Sequence, residues 1–428
     1  MRSINVGILG FGTVSSGTVR ILQENAAAIT ARVGANVQVK RVAVRDLSKP
    51  RDAELPASAL TTNPEEITTD PDIAIVVELM GGVEPARSLI SQAIAHGKSI
   101  VTANKEMVAK VGHELRQQAH DVGLDFLFEA SVGGGIPVIA TLSESLAGNR
   151  IKEIVGIVNG TTNYILTKMT TEGAAFGKVL AEAQALGYAE AEPSADVDGH
   201  DARYKIAILA SLAFGTRVDA EAVTAEGIRH LSPRDIAVAG ELGYRIKLLA
   251  VAQTAQNGIR VRVYPALLPL THPLATVDGV FNAVFLRGDA VGDLTLIGRG
   301  AGALPTGSAV VGDIAACARN IVAGTTGRVP YSVAATDTPV LPSASAWSRY
   351  YARVRVLDRP KALATIATVF GDYGISIESV VQRAMPDEEA EIVWITHEGR
   401  ESDVLAALTA IHALPVVRSV DAAIRVVA

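Results

Sequence analysis

The residues best suited to chemistry crowd into one stretch, Leu186 to Ala210, which reads LGYAEAEPSADVDGHDARYKIAILA. Glu190, Glu192, Asp196, Asp198 and Asp201 fall within it, and Lys205 heads an apolar run, Ile206 to Leu212. Asp201 and Lys205 are four apart, so a helix starting near Asp201 puts them on one face. The residues after Lys205 are apolar on nearly every side, which predicts a deeply buried helix. A charged pair at the mouth of such a helix is costly unless paired or used. An ordinary helix start accounts for the same residues: Asp198 or His200 near the N-cap, acids in the first turn and an exposed i,i+4 pair. Two features favour a site. Pro193, Gly199 and small residues make the acidic segment a loop, where functional residues concentrate. A lysine at an apolar edge is easily desolvated, which moves its pKa toward the range useful for proton transfer.

A second group lies at the start of the chain. Ile4 to Leu9 reads as a strand, followed by Gly10-Phe11-Gly12-Thr13-Val14-Ser15-Ser16-Gly17 and a helical pattern. Strand, glycine turn and helix in that order form a dinucleotide-binding unit, with Gly10 for the tight turn and Gly12 for close approach to a pyrophosphate. Ser15 stands where the third glycine of the fingerprint belongs, and a plain structural turn competes with the functional reading. The next strand, Val37 to Val44, ends in Arg45-Asp46, with Lys49 and Arg51 close behind. An acid there accepts the ribose 2′-hydroxyl of NAD and an arginine meets the 2′-phosphate of NADP. The basic excess favours NADP, with NAD as the alternative; a solvated loop of scattered charge explains the same residues.

Lys105 follows a short strand, Ser99 to Val101, and the segment Thr102-Ala103-Asn104. That is the carboxyl end of a parallel strand, where α/β sheets bind ligands. A cation in the first turn of a helix opposes its dipole, so a purely solvated role fits it poorly. Glu129, at the end of an expected strand Leu124 to Glu129, opens the run Ser131-Val132-Gly133-Gly134-Gly135-Ile136-Pro137. One carboxylate beside several main-chain carbonyls suits a hard cation, and a hinge between domains suits the same composition. A second glycine-rich loop, Gly298 to Ser308, contains Gly302 and precedes an expected helix, Ala309 to Val322.

The elements that must position these groups belong to an α/β chain. At 428 residues, two or three domains are expected. Aromatics are only 4% while hydrophobic residues are 49%, which favours Val/Ile-rich buried strands. The net charge of -6 and the lack of a Lys/Arg block argue against nucleic acid. Cys317 is the sole cysteine, which excludes an intrachain disulfide and fits a cytoplasmic location. A strand pattern within four residues of the start leaves no room for a signal peptide, and no apolar run approaches a membrane span. Further strands are expected at Ile73 to Leu79, Ile151 to Val158, Val261 to Leu268 and Ala283 to Arg287, with helices over 85–96 and 138–147. Asn159 to Tyr164 is a polar turn into another helix. Thr325 to Ser345 reads as a linker. The order after Tyr350 is βαββαβ, the ferredoxin-like pattern.

With these motifs in view, the chain resembles the homoserine dehydrogenase family in its longer form, which carries a C-terminal ACT domain. GFGTV (10–14), TANKEMVA (102–109), EASVGGGIP (129–137), NGTTNYI (159–165), GYAEAEPSADVDGHDARYK (187–205) and GAGALPTGSAV (300–310) carry the resemblance, which spans essentially the whole chain. It implies a Rossmann domain (1–137, with helix 309–322 packed back on it), an α+β substrate, catalytic and dimerisation domain (138–330), a linker (331–348) and a ferredoxin-like ACT domain (349–428). The implied reaction is reversible NAD(P)-dependent interconversion of L-homoserine and L-aspartate 4-semialdehyde, a step toward threonine, methionine and isoleucine. Carried onto this sequence, Lys205 is the proton donor and acceptor, Lys105 lies beside nicotinamide and substrate, and Glu190 and Asp201 hold the substrate. Gly10, Phe11, Gly12, Thr13, Val14, Arg45, Thr102, Lys105, Gly187 and Gly302 match cofactor positions. Glu129 with the carbonyls of Val132, Gly134 and Ile136 matches a monovalent cation site, usually sodium, expected to be structural. A homodimer or homotetramer is implied, and L-threonine is the implied effector of the ACT domain. Besides Ser15, two residues depart from the family pattern. Glu192 replaces the commoner Asp, and Lys361 replaces the glycine of the ACT loop Asp358-Arg359-Pro360, which bears on effector binding. A dehydrogenase for another amino aldehyde, and an amino-acid sensor with an inactive enzyme part, are the competing readings. Retention of Lys105, Glu190, Asp201 and Lys205 argues against the sensor.

Overall fold

The opening apolar run forms strand Ser3–Leu9 and, with four other β-rich runs and one polar-flanked strand, builds a parallel sheet. In the computed structural model, which describes residues 2–51, 55–327 and 338–427, that sheet is ordered Leu60–Thr61, Asn36–Ala43, Ser3–Leu9, Ile73–Glu78, Ser99–Thr102, Phe126–Leu127. The order in which strands are added reverses at Ser3–Leu9, which creates the crevice where doubly wound sheets bind dinucleotides. Ile4, Val6, Ile8, Ile75, Val77 and Val101 are fully or almost fully buried, as expected of strands covered on both faces.

The chain divides into two compact units, each built from separated segments. The first comprises Met1–Ile154, Tyr204–Val223 and Phe281–Thr338. Its glycine-loop helix is longer than the sequence implies, Ala303–Ala323 rather than a start at Ala309. Pro305 lies in the first turn, where its missing N–H costs nothing. This helix shares one core with the parallel sheet through Val310, Val311, Ile314, Cys317 and Ala318. It crosses helix Thr13–Glu24 at glycines. A Cβ on Gly17 would lie 1.9 Å from the Ala303 carbonyl oxygen, and one on Gly307 2.8 Å from the Gly17 carbonyl carbon. Strands Phe281–Gly288 and Gly292–Arg299 form an antiparallel hairpin in the same unit.

The second unit comprises Val155–Arg203, Thr224–Val280 and Pro339–Ala428. Strand Tyr244–Ala255, absent from the sequence expectations, pairs antiparallel with Gly258–Pro269 over their full lengths. Gly258–Pro269 in turn pairs in parallel with the last strand, Val417–Val426, through Ala266↔Arg425 and Leu267↔Val426. From there the sheet continues to Trp347–Leu357, Glu389–Thr396 and Ile377–Ala384, covered by helices Ala362–Asp372 and Glu401–His412. This is the expected βαββαβ unit. Of the expected linker, 328–337 lies outside the described residues; the described part beyond it runs along Gly258–Pro269, with Ile259 N–H on the Pro339 carbonyl (3.0 Å) and Leu341 N–H on the Ile259 carbonyl (2.8 Å).

Two ionic clusters lie inside this second unit. Arg425 grips Glu401 with two bonds, 2.8 and 2.9 Å, and reaches Glu226 at 2.8 Å, while Arg262 also bonds Glu401. Arg353 bonds Asp235 (2.8 Å) and Asp421 (3.0 Å), and Arg234 pairs with Glu391. Arg262, Arg353, Arg425, Glu391 and Glu401 are all buried. Among the described residues no helix is long and apolar enough to cross a membrane.

Candidate active site

Gly10 ends the first strand with φ +95°, a conformation that excludes most side chains, and its N–H donates to the Ala43 carbonyl at 2.9 Å. A Cβ there would sit 3.0 Å from the Leu79 carbonyl oxygen. Gly12 caps helix Thr13–Glu24 without any side-chain bond, and a Cβ on it would meet nothing within 4 Å. No side chain caps the first-turn N–H groups, which leaves them to receive a phosphate. Phe11, Thr13 and Val14 border this turn, partly or fully exposed. Ser15 is not a weakened glycine. It is buried, and its hydroxyl donates to the Gly10 carbonyl at 2.7 Å, fixing the turn. Close packing falls instead to Gly17. Arg45 stands exposed just beyond strand Asn36–Ala43. Asp46, beside it, is engaged by Ser48, whose N–H and hydroxyl donate at 2.9 and 2.7 Å. Arg51 lies 5.7 Å from the Phe11 ring centroid and donates to the Lys49 carbonyl at 2.6 Å.

Lys105 is the first residue of helix Lys105–Asp121 and is half-buried. Asn104 caps that helix by accepting the Met107 N–H at 3.1 Å, and its amide donates to the Gly82 carbonyl at 2.6 Å. Behind it stands Glu78, fully buried at the end of strand Ile73–Glu78. Its carboxylate accepts the Thr102 hydroxyl (2.7 Å) and the N–H groups of Met80 (2.7 Å) and Gly81 (3.3 Å), with the Asn104 amide at 3.5 Å. Burial pushes the Glu78 carboxyl above its ordinary range, and these donors pull against that. Lys205 is half-buried in helix His200–Phe214. Its neighbour Tyr204 lies under Lys110, 5.3 Å from the ring centroid, and Lys110 also bonds Glu106 at 2.8 Å.

The run 129–137 lies wholly within the first unit. The strand expected over 124–129 shrinks to Phe126–Leu127, and Glu129–Ser131 is a short 3-10 turn. Both carboxylate oxygens of Glu129 accept backbone N–H groups, from Ile139 at 2.8 Å and Ala140 at 2.7 Å, so the side chain caps the following helical segment. Burial raises the Glu129 pKa against those two bonds. The glycines press onto the second glycine loop. Gly135 N–H donates to the Arg299 carbonyl at 3.0 Å, and a Cβ on Gly134 would lie 2.4 Å from the Gly300 carbonyl oxygen. Gly302, at φ +124°, heads the long helix beside this loop. The main-chain oxygens of Val132, Gly134 and Ile136 are the donor type a hard cation takes. With its side chain committed to capping, Glu129 fits such a set through its carbonyl.

In the second unit the acidic segment is sorted by partner. Asn159, buried at the N-cap of helix Gly160–Glu172, donates from one amide nitrogen to Asp196 (2.7 Å) and Asp201 (2.9 Å). Its oxygen accepts the Thr162 N–H at 2.9 Å. Asp198 pairs with Arg229 at 2.6 Å, and that charge-assisted bond holds its carboxyl below the usual range. Glu192 accepts the Ser194 N–H at 3.1 Å. Glu190 is exposed, its backbone carbonyl held by Gln184 at 3.0 Å. Gly187 turns the chain at φ +74°, and Thr161 holds the next carbonyl, that of Tyr188, at 2.7 Å.

The first unit thus gathers the glycine turn, Arg45, Thr102, Lys105, Lys205, Gly302 and the carbonyl run, while Gly187, Glu190 and Asp201 belong to the second. Asp201 and Lys205 share the one continuous helix His200–Phe214. Two residues with clear roles in this geometry, Glu78 and Asn159, are absent from the expected site residues. Asn159 carried a usable signal, an Asn before a helical Gly-Thr-Thr. Among the described residues no group of three or more His, Cys, Asp or Glu side chains is placed to hold a metal.

Comparison with known proteins covers all three parts of the chain. The profile described as "Homoserine dehydrogenase, NAD binding domain" matches residues 10–129, that described as "Homoserine dehydrogenase" matches 137–315, and the ACT domain matches 350–416. A homoserine dehydrogenase of Synechocystis sp. is 50% identical, covering 99% of each chain, and one of Bacillus subtilis is 42% identical, covering 100% of this chain and 99% of that one. The crystal structure of a Thiobacillus denitrificans homoserine dehydrogenase superposes with a TM-score of 0.93 at 46% identity, covering 100% of this chain and 99% of that one. A hyperthermophilic archaeal homoserine dehydrogenase in complex with NADPH aligns over 73% of this chain and 96% of its own, with a TM-score of 0.62 at 30% identity. The chain belongs to the homoserine dehydrogenase family, oxidoreductases that act on a CH–OH group with a nicotinamide dinucleotide.

Proposed function

We propose that this enzyme interconverts L-homoserine and L-aspartate 4-semialdehyde with Lys205 as the proton-transferring group and Lys105 as its cationic partner beside the reacting carbon. The bound nicotinamide supplies the hydride acceptor in one direction and the donor in the other. Lys205 takes the proton of the C4 hydroxyl as the carbonyl forms, and its ammonium returns it to the alkoxide oxygen in the reverse direction. Lys105 stabilises negative charge developing on that oxygen. Glu190 and Asp201 hold the substrate ammonium, a role that two carboxylates suit. The observation that carries the reading is the placement of Lys105 at the first turn of a helix leaving the carboxyl edge of the parallel sheet, in the same unit as the open dinucleotide turn and Lys205.

NADP is the preferred cofactor in this reading. The support is Arg45 exposed beyond the second strand while Asp46 is engaged by Ser48, together with the NADPH complex of the archaeal relative. Phe11, Thr13, Val14, Gly187 and Gly302 line the same ligand, with Thr102 buried behind them as a support. A monovalent cation, sodium, is held by the carbonyls of Glu129, Val132, Gly134 and Ile136 and stiffens that loop. The assembly is a homodimer or homotetramer, supported by Phe281 and Ile297 exposed on one hairpin at 42% and 57%. L-Threonine is the effector of the ACT unit, and the location is cytoplasmic. Initial rates with L-homoserine, using NAD and NADP separately and each with and without L-threonine, test the reaction, the cofactor preference and the effector. Reduction of NADP at the higher kcat/KM is expected; equal use of both cofactors rules out the Arg45 assignment. Reduction of neither by folded protein rules out the reaction.

A further inference from the structure

Glu78 is the most deeply placed carboxylate near the proposed chemistry, yet it is too buried to touch substrate. It is the register partner of Thr102 on the adjacent parallel strand, and the two meet at the carboxyl edge of the sheet. An apolar residue there would avoid the desolvation cost of a carboxylate. What the carboxylate adds is connection. One oxygen takes the Thr102 hydroxyl, and Thr102 accepts the Asn104 N–H at 3.0 Å. The other takes Met80, Gly81 and Asn104. The Asn104 amide spans from there to the Gly82 carbonyl, while its oxygen caps the helix whose first residue is Lys105. The residue after Glu78, Leu79, donates its N–H to the Leu9 carbonyl at 2.9 Å and presents its own carbonyl to Gly10. One side chain therefore ties the strand beside the dinucleotide turn to the residue before Lys105.

We propose that Glu78 is a positioning residue for Lys105: through Thr102 and Asn104 it fixes the turn that aims the lysine at the reacting oxygen. This rests on the role assigned to Lys105 above. A displacement of about 1 Å at a reacting group costs on the order of 100-fold in rate. Glu78→Ala is therefore expected to lower kcat for L-homoserine oxidation by roughly 10- to 100-fold, with the KM for homoserine moving less. Glu78→Gln keeps the shape and one acceptor oxygen, and is expected to recover kcat to within about 5-fold of the parent.

A cycle of Glu78→Ala, Lys105→Ala and the double variant decides the route. In the Lys105→Ala background the second substitution should cost less than about 3-fold, because a group acting through Lys105 has nothing left to place. The same loss in both backgrounds overturns the proposal, as does a Glu78→Gln variant as slow as Glu78→Ala. Binding of reduced dinucleotide to Glu78→Ala and Glu78→Gln, followed by its fluorescence, should stay within about 3-fold of the parent. Binding lost in proportion to kcat overturns the proposal as well. Parent-like turnover in Lys105→Ala defeats the reading of Lys105 itself. Parent-like turnover in Glu78→Ala alone, with Lys105→Ala slow, defeats only the inference. Should Glu78→Ala not fold, Asn104→Ser decides: serine still caps the helix but cuts the link to Glu78 and Gly82. A several-fold loss of kcat at an unchanged melting temperature is expected, and undiminished kcat overturns the proposal.

Discussion

Lys205 and Asn159 make opposite predictions in the same assay. Lys205→Ala removes the proton relay, so turnover should fall by roughly 100- to 10,000-fold while the variant still binds dinucleotide in a fluorescence titration. Near-normal turnover would exclude the assigned role. Asn159→Ala strips a buried amide from Asp196 and Asp201 and uncaps a helix. Loss of a hydrogen bond to a buried charged group costs about 1.5–3 kcal/mol. The expected result is a homoserine KM raised about tenfold or more, with kcat less affected; a KM unchanged from the parent would show that Asn159 does not organise Asp201 for substrate binding. Lys105 was legible in sequence because a short β-run followed by a cation at a helix start is a recognisable edge-of-sheet pattern. Glu78 was not, since a glutamate next to the end of the expected strand Ile73 to Leu79 carries no mark of its partners. Only the pairing of Glu78 with Thr102 across the sheet shows that it stays inside. Ser15 was legible as a departure, but its compensation, a hydroxyl bonded back to Gly10, depends on backbone geometry that spacing does not encode.

At the scale of elements, the crossing of Thr13–Glu24 and Ala303–Ala323 is set by two hydrogens in place of side chains. Gly17→Ala would drive a methyl to 1.9 Å from a main-chain oxygen, which no rotamer can relieve. Overpacking of this kind costs about 1–3 kcal/mol; urea melts should show at least that loss, and a neutral result would mean that the helices separate freely. Lys361 makes the converse case. It holds φ +76° at the start of helix Ala362–Asp372, the one departure in the ACT loop. A left-handed conformation costs an L-residue about 1–2 kcal/mol, partly offset by the extra unfolded-state entropy of glycine, about 0.4–1 kcal/mol. Lys361→Gly should therefore stabilise by about 0.5–1 kcal/mol in the same melts. A destabilised Lys361→Gly variant would show that the lysine side chain contributes more than its backbone costs. Four parallel strands, Ser3–Leu9, Asn36–Ala43, Ile73–Glu78 and Ser99–Thr102, and the βαββαβ order were legible because their runs are apolar and bounded by turn residues. Tyr244–Ala255 was not: YRIKLLAVAQTA lacks alternation, and a buried strand of that kind cannot be told from a buried helix by pattern. Its buried Lys247 obscures it further, held by the Val277 carbonyl at 2.6 Å and Asp278 at 3.0 Å.

For the molecule as a whole, the buried ionic clusters of the second unit set its response to acid. Burial alone would raise Glu401, but the Arg425 bonds and the charges of Arg425 and Arg262 outweigh it and hold the carboxyl below the usual range; Glu391 is depressed likewise against Arg234 and Arg353. A carboxyl depressed in the folded state contributes stability above its unfolded pKa of about 4 and loses it as pH falls through the lower folded value. The unit should thus weaken below about pH 4. Glu401→Gln should be destabilised by roughly 3–5 kcal/mol at pH 7, because Arg425 and Arg262 lose their buried counterion. It should also show a shallower loss between pH 5 and 3, read by circular dichroism at fixed urea; an unchanged acid limb would locate the sensitivity elsewhere. The same unit holds its last strand by main-chain bonds, with Val427 N–H on the Leu267 carbonyl at 2.9 Å beyond the Ala266↔Arg425 and Leu267↔Val426 pairs. A module attached by a tether can be clipped off without harm to its neighbour. Here clipping would strip a partner from Gly258–Pro269 and leave an apolar β-edge open to pairing with other chains. Deleting residues 339–427 is therefore expected to lower solubility, whereas a single substitution at Lys361 leaves that strand pairing in place.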